Sequence, residues 1–233
     1  MEAELVAKVE QWLQFDKNDV TRSEILRFKE ANDRGQLARL LLGRMEFGTA
    51  GLRAPMGPGN NQLNDLTIIQ TTQGLLKYAT LQFKDLKSSG IIVGFDGRHN
   101  SKKWAHYVAN IFMNAGCIVY LFRECYPTPM LAFGVRHYKT ALGVMITASH
   151  NPKEDNGYKV YWCNGSQIIS PHDRGIAACI EENLDATRVF LGNWFGREQF
   201  SLSQPITRTD RNVLSIAERT DVLHSVSFTF YFG

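Results

Sequence analysis

Apolar residues recur at helical spacing from the start of the chain. Leu5, Val9, Trp12 and Leu13 share one face of a first helix. Thr21 with Glu24 makes a capping box for a second helix through Ile25 and Phe28. Leu37, Leu40 and Leu41 mark a third, short one. The pattern predicts a helical segment over 1–43. It then breaks in the glycine- and proline-rich stretch 47–59, which reads as turn and loop.

From Asp65 the two periods alternate. A helix carrying Ile69, Leu76, Ala79 and Phe83 leads to the apolar run 91–95, and a helix with Trp104, Val108, Phe112 and Ala115 leads to a second run, 117–122. Pro127 and Pro129 open a short helix before a third run, 142–147. Three strands separated by helix-length inserts predict βαβ units: a three-layer α/β/α domain with a mainly parallel sheet covered on both faces. Tyr158 to Trp162 alternate as a strand and meet Asn164-Gly165, a hairpin signal, so the sheet is expected to gain an antiparallel piece and become mixed. Ser170 as N-cap and Pro171 at the first helical position then start a helix with Ile176, Ile180 and Leu184. The expected organisation is a helical segment over 1–43, an α/β domain over 44–186, and a divergent tail over 187–233 that ends in the strand-like run 225–232.

Composition narrows the classes. With 44% apolar and 21% charged residues the chain is globular, and no stretch nears the roughly 20 consecutive apolar residues of a membrane span. Twenty-six Lys and Arg against 23 Asp and Glu leave a net charge of +3 without basic runs, which argues against nucleic acid. The first residues mix both charges where a secretory signal is apolar, so the expected compartment is the cytoplasm. Cys117, Cys125, Cys163 and Cys179 match no zinc or redox spacing and read as reduced thiols.

In open parallel sheets ligands collect beyond the carboxyl ends of the strands. The loop after the third run, 148–157, is the densest in chemistry, with Ser149, His150, Asn151 and Asn156. A serine there can be a nucleophile or carry a phosphoryl group when cations balance the charge, and Arg53, Arg98, His150 and Lys159 are the candidate suppliers. From composition alone the same residues read more readily as an ordinary polar turn with solvated neighbours. A serine hydrolase is disfavoured because the Gly-x-Ser-x-Gly elbow is missing, and the stretch 48–59 is neither a phosphate-binding loop nor a dinucleotide fingerprint.

Taken together, Gly48-Thr-Ala-Gly-Leu-Arg53, Thr147-Ala-Ser-His-Asn-Pro152 and Asn156-Gly-Tyr-Lys159 resemble the α-D-phosphohexomutase superfamily. The longer stretches 64–74 and 143–162 are similar to its phosphoglucomutase-2 and phosphopentomutase branch. The resemblance implies a phosphosugar mutase that moves phosphate between C1 and C6 of a hexose or C1 and C5 of a pentose, through a phosphoserine and a bisphosphate intermediate. On this chain it implies Ser149 as phosphoserine, His150 beside it for phosphate handling or proton transfer, and Arg53 and Lys159 as the positive groups around it; Arg98 joins them as a candidate phosphosugar ligand from its place after the first strand. It also implies Mg²⁺ held in part by the Ser149 phosphate, with glucose 1,6-bisphosphate as primer.

Members of the superfamily bring an Asp-x-Asp-x-Asp metal loop, a sugar-selecting loop and a distal phosphate loop in further domains, and this chain has no Asp-x-Asp. The expectation is therefore a phosphoserine domain with an unrelated end, as a truncated gene model or alternative transcript produces, inactive as a mutase alone. A non-catalytic phosphosugar-binding or regulatory fragment is the alternative.

Overall fold

A computed structural model describes residues 2–49 and 51–186, together with the backbone of 213–215. Three helices come first: α1 (Glu2–Phe15), α2 (Asp19–Glu30) and α3 (Arg34–Leu41). They bury Val9, Trp12, Leu13, Ile25, Leu37, Leu40 and Leu41 against one another and against the main core. Helix α2 starts earlier than the Thr21 reading places it. Asn18 is its N-cap, accepting from Val20 N at 3.0 Å, while the Thr21 hydroxyl donates to Asp16 Oδ2 at 2.7 Å and is unavailable for capping.

The next elements are β1 (Leu52–Pro55), α4 (Asp65–Gln82), α5 (Leu86–Ser89), β2 (Ile91–Phe95), α6 (Ser101–Asn114), β3 (Val119–Leu121), α7 (Thr128–His137), β4 (Leu142–Ile146), β5 (Asp155–Trp162), α8 (His172–Glu182) and β6 (Val213–Ser215). The sheet runs β1-β5-β4-β2-β3-β6. Strands β4, β2, β3 and β6 run parallel to one another, whereas β5 is antiparallel to both β4 and β1. A mixed, mainly parallel sheet in an α/β domain is thus present.

The stretch 47–59 is not all loop. Residues 52–55 form an edge strand paired with 155–158, and an edge tolerates Pro55 because one side of the strand needs no partner. Strand β3 is shorter than its apolar run, since Cys117 N bonds Phe112 O and Ile118 N bonds Lys87 O before pairing begins. Helix α8 is capped at Pro171, whose carbonyl accepts from Gly175 N; no Ser170 side-chain cap forms. The hairpin signal at Asn164-Gly165 corresponds to a short return bridging Tyr161 and Gln167. The run 225–232 lies outside the described residues.

Helices α4, α6 and α8 cover one face and α7 the other. Gly74 on α4 is required by close packing, because a Cβ there would come within 2.5 Å of Ile180 Cα on α8. Asp65, in the first turn of α4, accepts from Trp104 Nε1 at 2.8 Å and pairs with Lys103 at 2.7 Å, tying α6 to α4. The chain moves from β2 to β3 on one side and returns across β2 to β4 on the other. The loops after β2 and β4 therefore open side by side at the carboxyl edge, the place where such sheets hold ligands.

Candidate functional site at the carboxyl ends of β2 and β4

Side chains alternate along a strand, so β1 buries Leu52 and Ala54 and turns Arg53 to the opposite face. Arg53 stands opposite Gly157, and Lys159, two residues further along β5, shares that face and stands opposite Met145 of β4. Gly157 leaves room for this approach: a Cβ would run into the Thr147 carbonyl and lie 2.9 Å from the Leu52 carbonyl. The pairing of β1, β5 and β4 thus brings Arg53 and Lys159 beside the loop that carries Ser149.

Ser149 is exposed and adopts φ 62°, the left-handed region that L-residues rarely enter. Its backbone N–H donates to Thr147 Oγ1 at 2.9 Å, and that hydroxyl donates in turn to Asp96 Oδ2 at 2.6 Å. Asp96 Oδ1 accepts from Arg98 N at 3.1 Å and Ser101 Oγ at 2.8 Å. A carboxylate at the end of β2 therefore sets the backbone of the serine at the end of β4.

Arg98 does more of the same work. Its Nη1 donates to the carbonyls of Pro152 (2.6 Å) and Asp155 (3.0 Å), and its Nη2 to those of Ser149 (2.9 Å) and Asn151 (2.7 Å). Its Nε lies 3.3 Å from Asp96 Oδ2. The guanidinium is spent on the loop, and no donor is left for the substrate contact that the sequence reading assigned to it.

The other cations differ from Arg98 and from each other. Arg53 donates one bond, to Asn151 Oδ1 at 3.0 Å, and is otherwise exposed. Asn151 is held by its own bond to Asp155 Oδ2 at 2.8 Å. Lys159 is only 7% exposed and makes no hydrogen bond or close ion pair among the described residues. Burial pushes its ammonium below the ordinary lysine range, the Arg53 charge pushes it the same way, and Asp96 opposes both. His150 is exposed next to Ser149 and has no hydrogen-bond partner among the described residues for its ring or its backbone N–H.

The arrangement is an exposed serine flanked by one exposed cation, one largely buried lysine and an imidazole, the last two without hydrogen-bond partners among the described residues. It suits the reception of a dianionic phosphoryl group, because the charges that would neutralise it are already in place. Asp96 and Thr147 escaped the sequence reading. Their signal was positional: an aspartate immediately after β2 and a hydroxyl immediately after β4. The described residues do not supply a Mg²⁺ site, since no three His, Cys, Asp or Glu side chains converge. Asp96 is committed to Thr147, Ser101 and Arg98, and Asp155 to Asn151. All four cysteines are free.

Comparison with known proteins matches residues 44–187 to the phosphoglucomutase/phosphomannomutase family, alpha/beta/alpha domain I. Over 190 residues the chain is 52% identical to human phosphopentomutase, covering 79% of this chain and 31% of that protein. It is 44% identical over 197 residues to human glucose 1,6-bisphosphate synthase, covering 82% and 31%. The crystal structure of a phosphoglucomutase/phosphomannomutase family protein from Burkholderia thailandensis shares the fold, with a TM-score of 0.50 and 20% identity over 58% of this chain and 30% of that one. The chain spans about a third of the length of these curated relatives. With the family model covering more than half of it, the chain belongs to the phosphoglucomutase/phosphomannomutase family and carries that family's α/β/α domain I.

Proposed function

We propose that the chain is the phosphoserine module of a phosphosugar mutase of the phosphoglucomutase or phosphopentomutase type, with Ser149 as the phosphoryl carrier. In the accepting step Ser149 Oγ attacks a phosphorus of glucose 1,6-bisphosphate or the pentose equivalent. The new Oγ–P bond forms as the sugar O–P bond breaks, the sugar oxygen leaves as the alcohol of a monophosphate, and the serine proton passes to that oxygen through His150 or solvent. The reverse step returns phosphate to the other end of the sugar. Over a cycle this moves phosphate between C1 and C6 of a hexose or C1 and C5 of a pentose. Such transfers need neutralised charge and in-line placement more than covalent assistance.

Lys159 is the observation that carries this reading. Its ammonium has no hydrogen bond among the described residues and lies on the face that Arg53 shares, so two cations stand beside the Ser149 loop where an anion would join them. Mg²⁺ is expected of the family, but the residues described here do not form its ligand set, so no step is assigned to it.

The module is proposed to occupy 44–186, with 1–43 as a helical annex and 187–233 as a tail apart from it. A cytoplasmic location and a phosphosugar substrate accompany the proposal; no helix of the described residues is long and apolar enough to cross a membrane. A non-catalytic phosphosugar-binding module is the second reading, favoured by the lack of a converging acid cluster among the described residues. A coupled isomerisation assay primed with glucose 1,6-bisphosphate separates the cases. The proposal expects stoichiometric phosphorylation of Ser149 with no sustained turnover by this chain alone. Binding of sugar phosphate without any phosphorylation supports the second reading, and sustained turnover contradicts the claim that other domains are needed.

A further inference from the structure

We infer that Asp96 and Arg98 are positioning residues, forming a clamp between the β2 and β4 loops that holds Ser149 left-handed and turns the loop's carbonyl dipoles away from an incoming phosphate. The inference rests on Ser149 as the phosphoryl acceptor. Its observations are independent of that chemistry. Four carbonyl oxygens, those of Ser149, Asn151, Pro152 and Asp155, converge on the two terminal nitrogens of one guanidinium. Left pointing outward, four negative dipole ends beside the serine would repel a phosphate dianion. Gathered on Arg98 they are neutralised. Among the described residues the His150 backbone N–H has no acceptor and the exposed Ser149 hydroxyl has no partner.

Only arginine fits this place. Its planar fork offers five donors in fixed directions, whereas lysine offers three at a single point. Asp96 completes the clamp from the other side. It fixes Arg98 through the backbone N–H of that residue and through Nε, and it fixes Ser149 through the Thr147 hydroxyl. The φ of 62° at Ser149 is a conformation that the surrounding bonds must enforce, because an L-residue left alone would leave it.

The test uses the 233-residue chain with variants Arg98→Lys, Thr147→Val and Thr147→Ser. Amide hydrogen exchange over 147–156 reads the clamp directly, and the rate of phosphate uptake from glucose 1,6-bisphosphate reads its purpose. Arg98→Lys is expected to speed exchange across the loop and slow uptake about ten- to a hundredfold, the scale of lost charge-assisted bonds. Thr147→Val keeps the shape but removes the acceptor of Ser149 N–H, so exchange at Ser149 should rise about fivefold or more. Thr147→Ser should restore both readouts. A merely structural role would speed exchange throughout β4 and β5 as well. If Arg98→Lys unfolds, the Thr147 pair decides alone. Native protection and native uptake in the variants, or failure of Thr147→Ser to restore them, overturns the clamp. A native chain that takes up no phosphate while its variants lose loop protection overturns the Ser149 reading instead.

Discussion

Replacing Lys159 by methionine should make the protein more stable and less able to accept phosphate. The native ammonium is 7% exposed, lacks a hydrogen bond among the described residues, and faces the like charge of Arg53 with Asp96 as the opposing influence. Methionine has similar length and fills the same space without a charge to desolvate. The ammonium keeps a path to water and is attracted by Asp96, so removing this partly desolvated charge is worth at most about 1 kcal/mol. For a chain of this size that is a rise in melting temperature of up to about 2–4 °C. The pH dependence carries the same sign. The Lys159 pKa is lowered on folding, so the unfolded chain binds more protons between that lowered value and the ordinary 10.5, and native stability should climb with pH across that window. The variant should lack this climb. Phosphate uptake at Ser149 should fall about ten- to a hundredfold, the loss of one charge-assisted contact. Uptake by the native chain should likewise fall as alkaline pH discharges Lys159. Calorimetric melts at neutral and alkaline pH, beside a labelled-phosphate time course, measure all three effects. A variant that melts below the native chain and accepts phosphate at the native rate would refute the reasoning.

Ser149→Gly removes the left-handed penalty of about 1–2 kcal/mol, part of which glycine's greater unfolded-state freedom cancels, so a melting temperature at or slightly above native is expected together with no phosphate uptake. Arg53→Ala should slow uptake about tenfold without changing the melt, because its side chain is exposed and bonds only Asn151 Oδ1; turnover and melt together check this. Gly74→Ala forces α4 away from Ile180 and should destabilise by about 1–3 kcal/mol in chemical denaturation, with the β4 loop unaffected in exchange.

Elements that announce themselves by period were legible. The buried runs of β2 and β4 match the structure residue for residue apart from Thr147, and α1 and α3 bury the faces their spacing indicates. What was hidden depends on partners distant in sequence. Strand β1 is four residues long and ends in proline, and only its pairing with 155–158 makes it a strand. The Thr21 and Ser170 caps failed because a side chain or a carbonyl nearby took the role first. At the site, Ser149 could be located from its place after an apolar run. The burial of Lys159 and the commitment of Arg98 could not, since a lysine on an alternating strand and an arginine in a polar loop read as solvated until the sheet sets their neighbours.

The central claim is that Ser149 carries a transferable phosphoryl group. Incubation of the native chain and of Ser149→Ala with glucose 1,6-bisphosphate, followed by peptide mapping, tests it most directly. The account predicts one phosphate on the peptide containing Ser149 and none on the alanine variant; phosphate found mainly on Ser101 or Ser170, or an equal amount on the alanine variant, would contradict it.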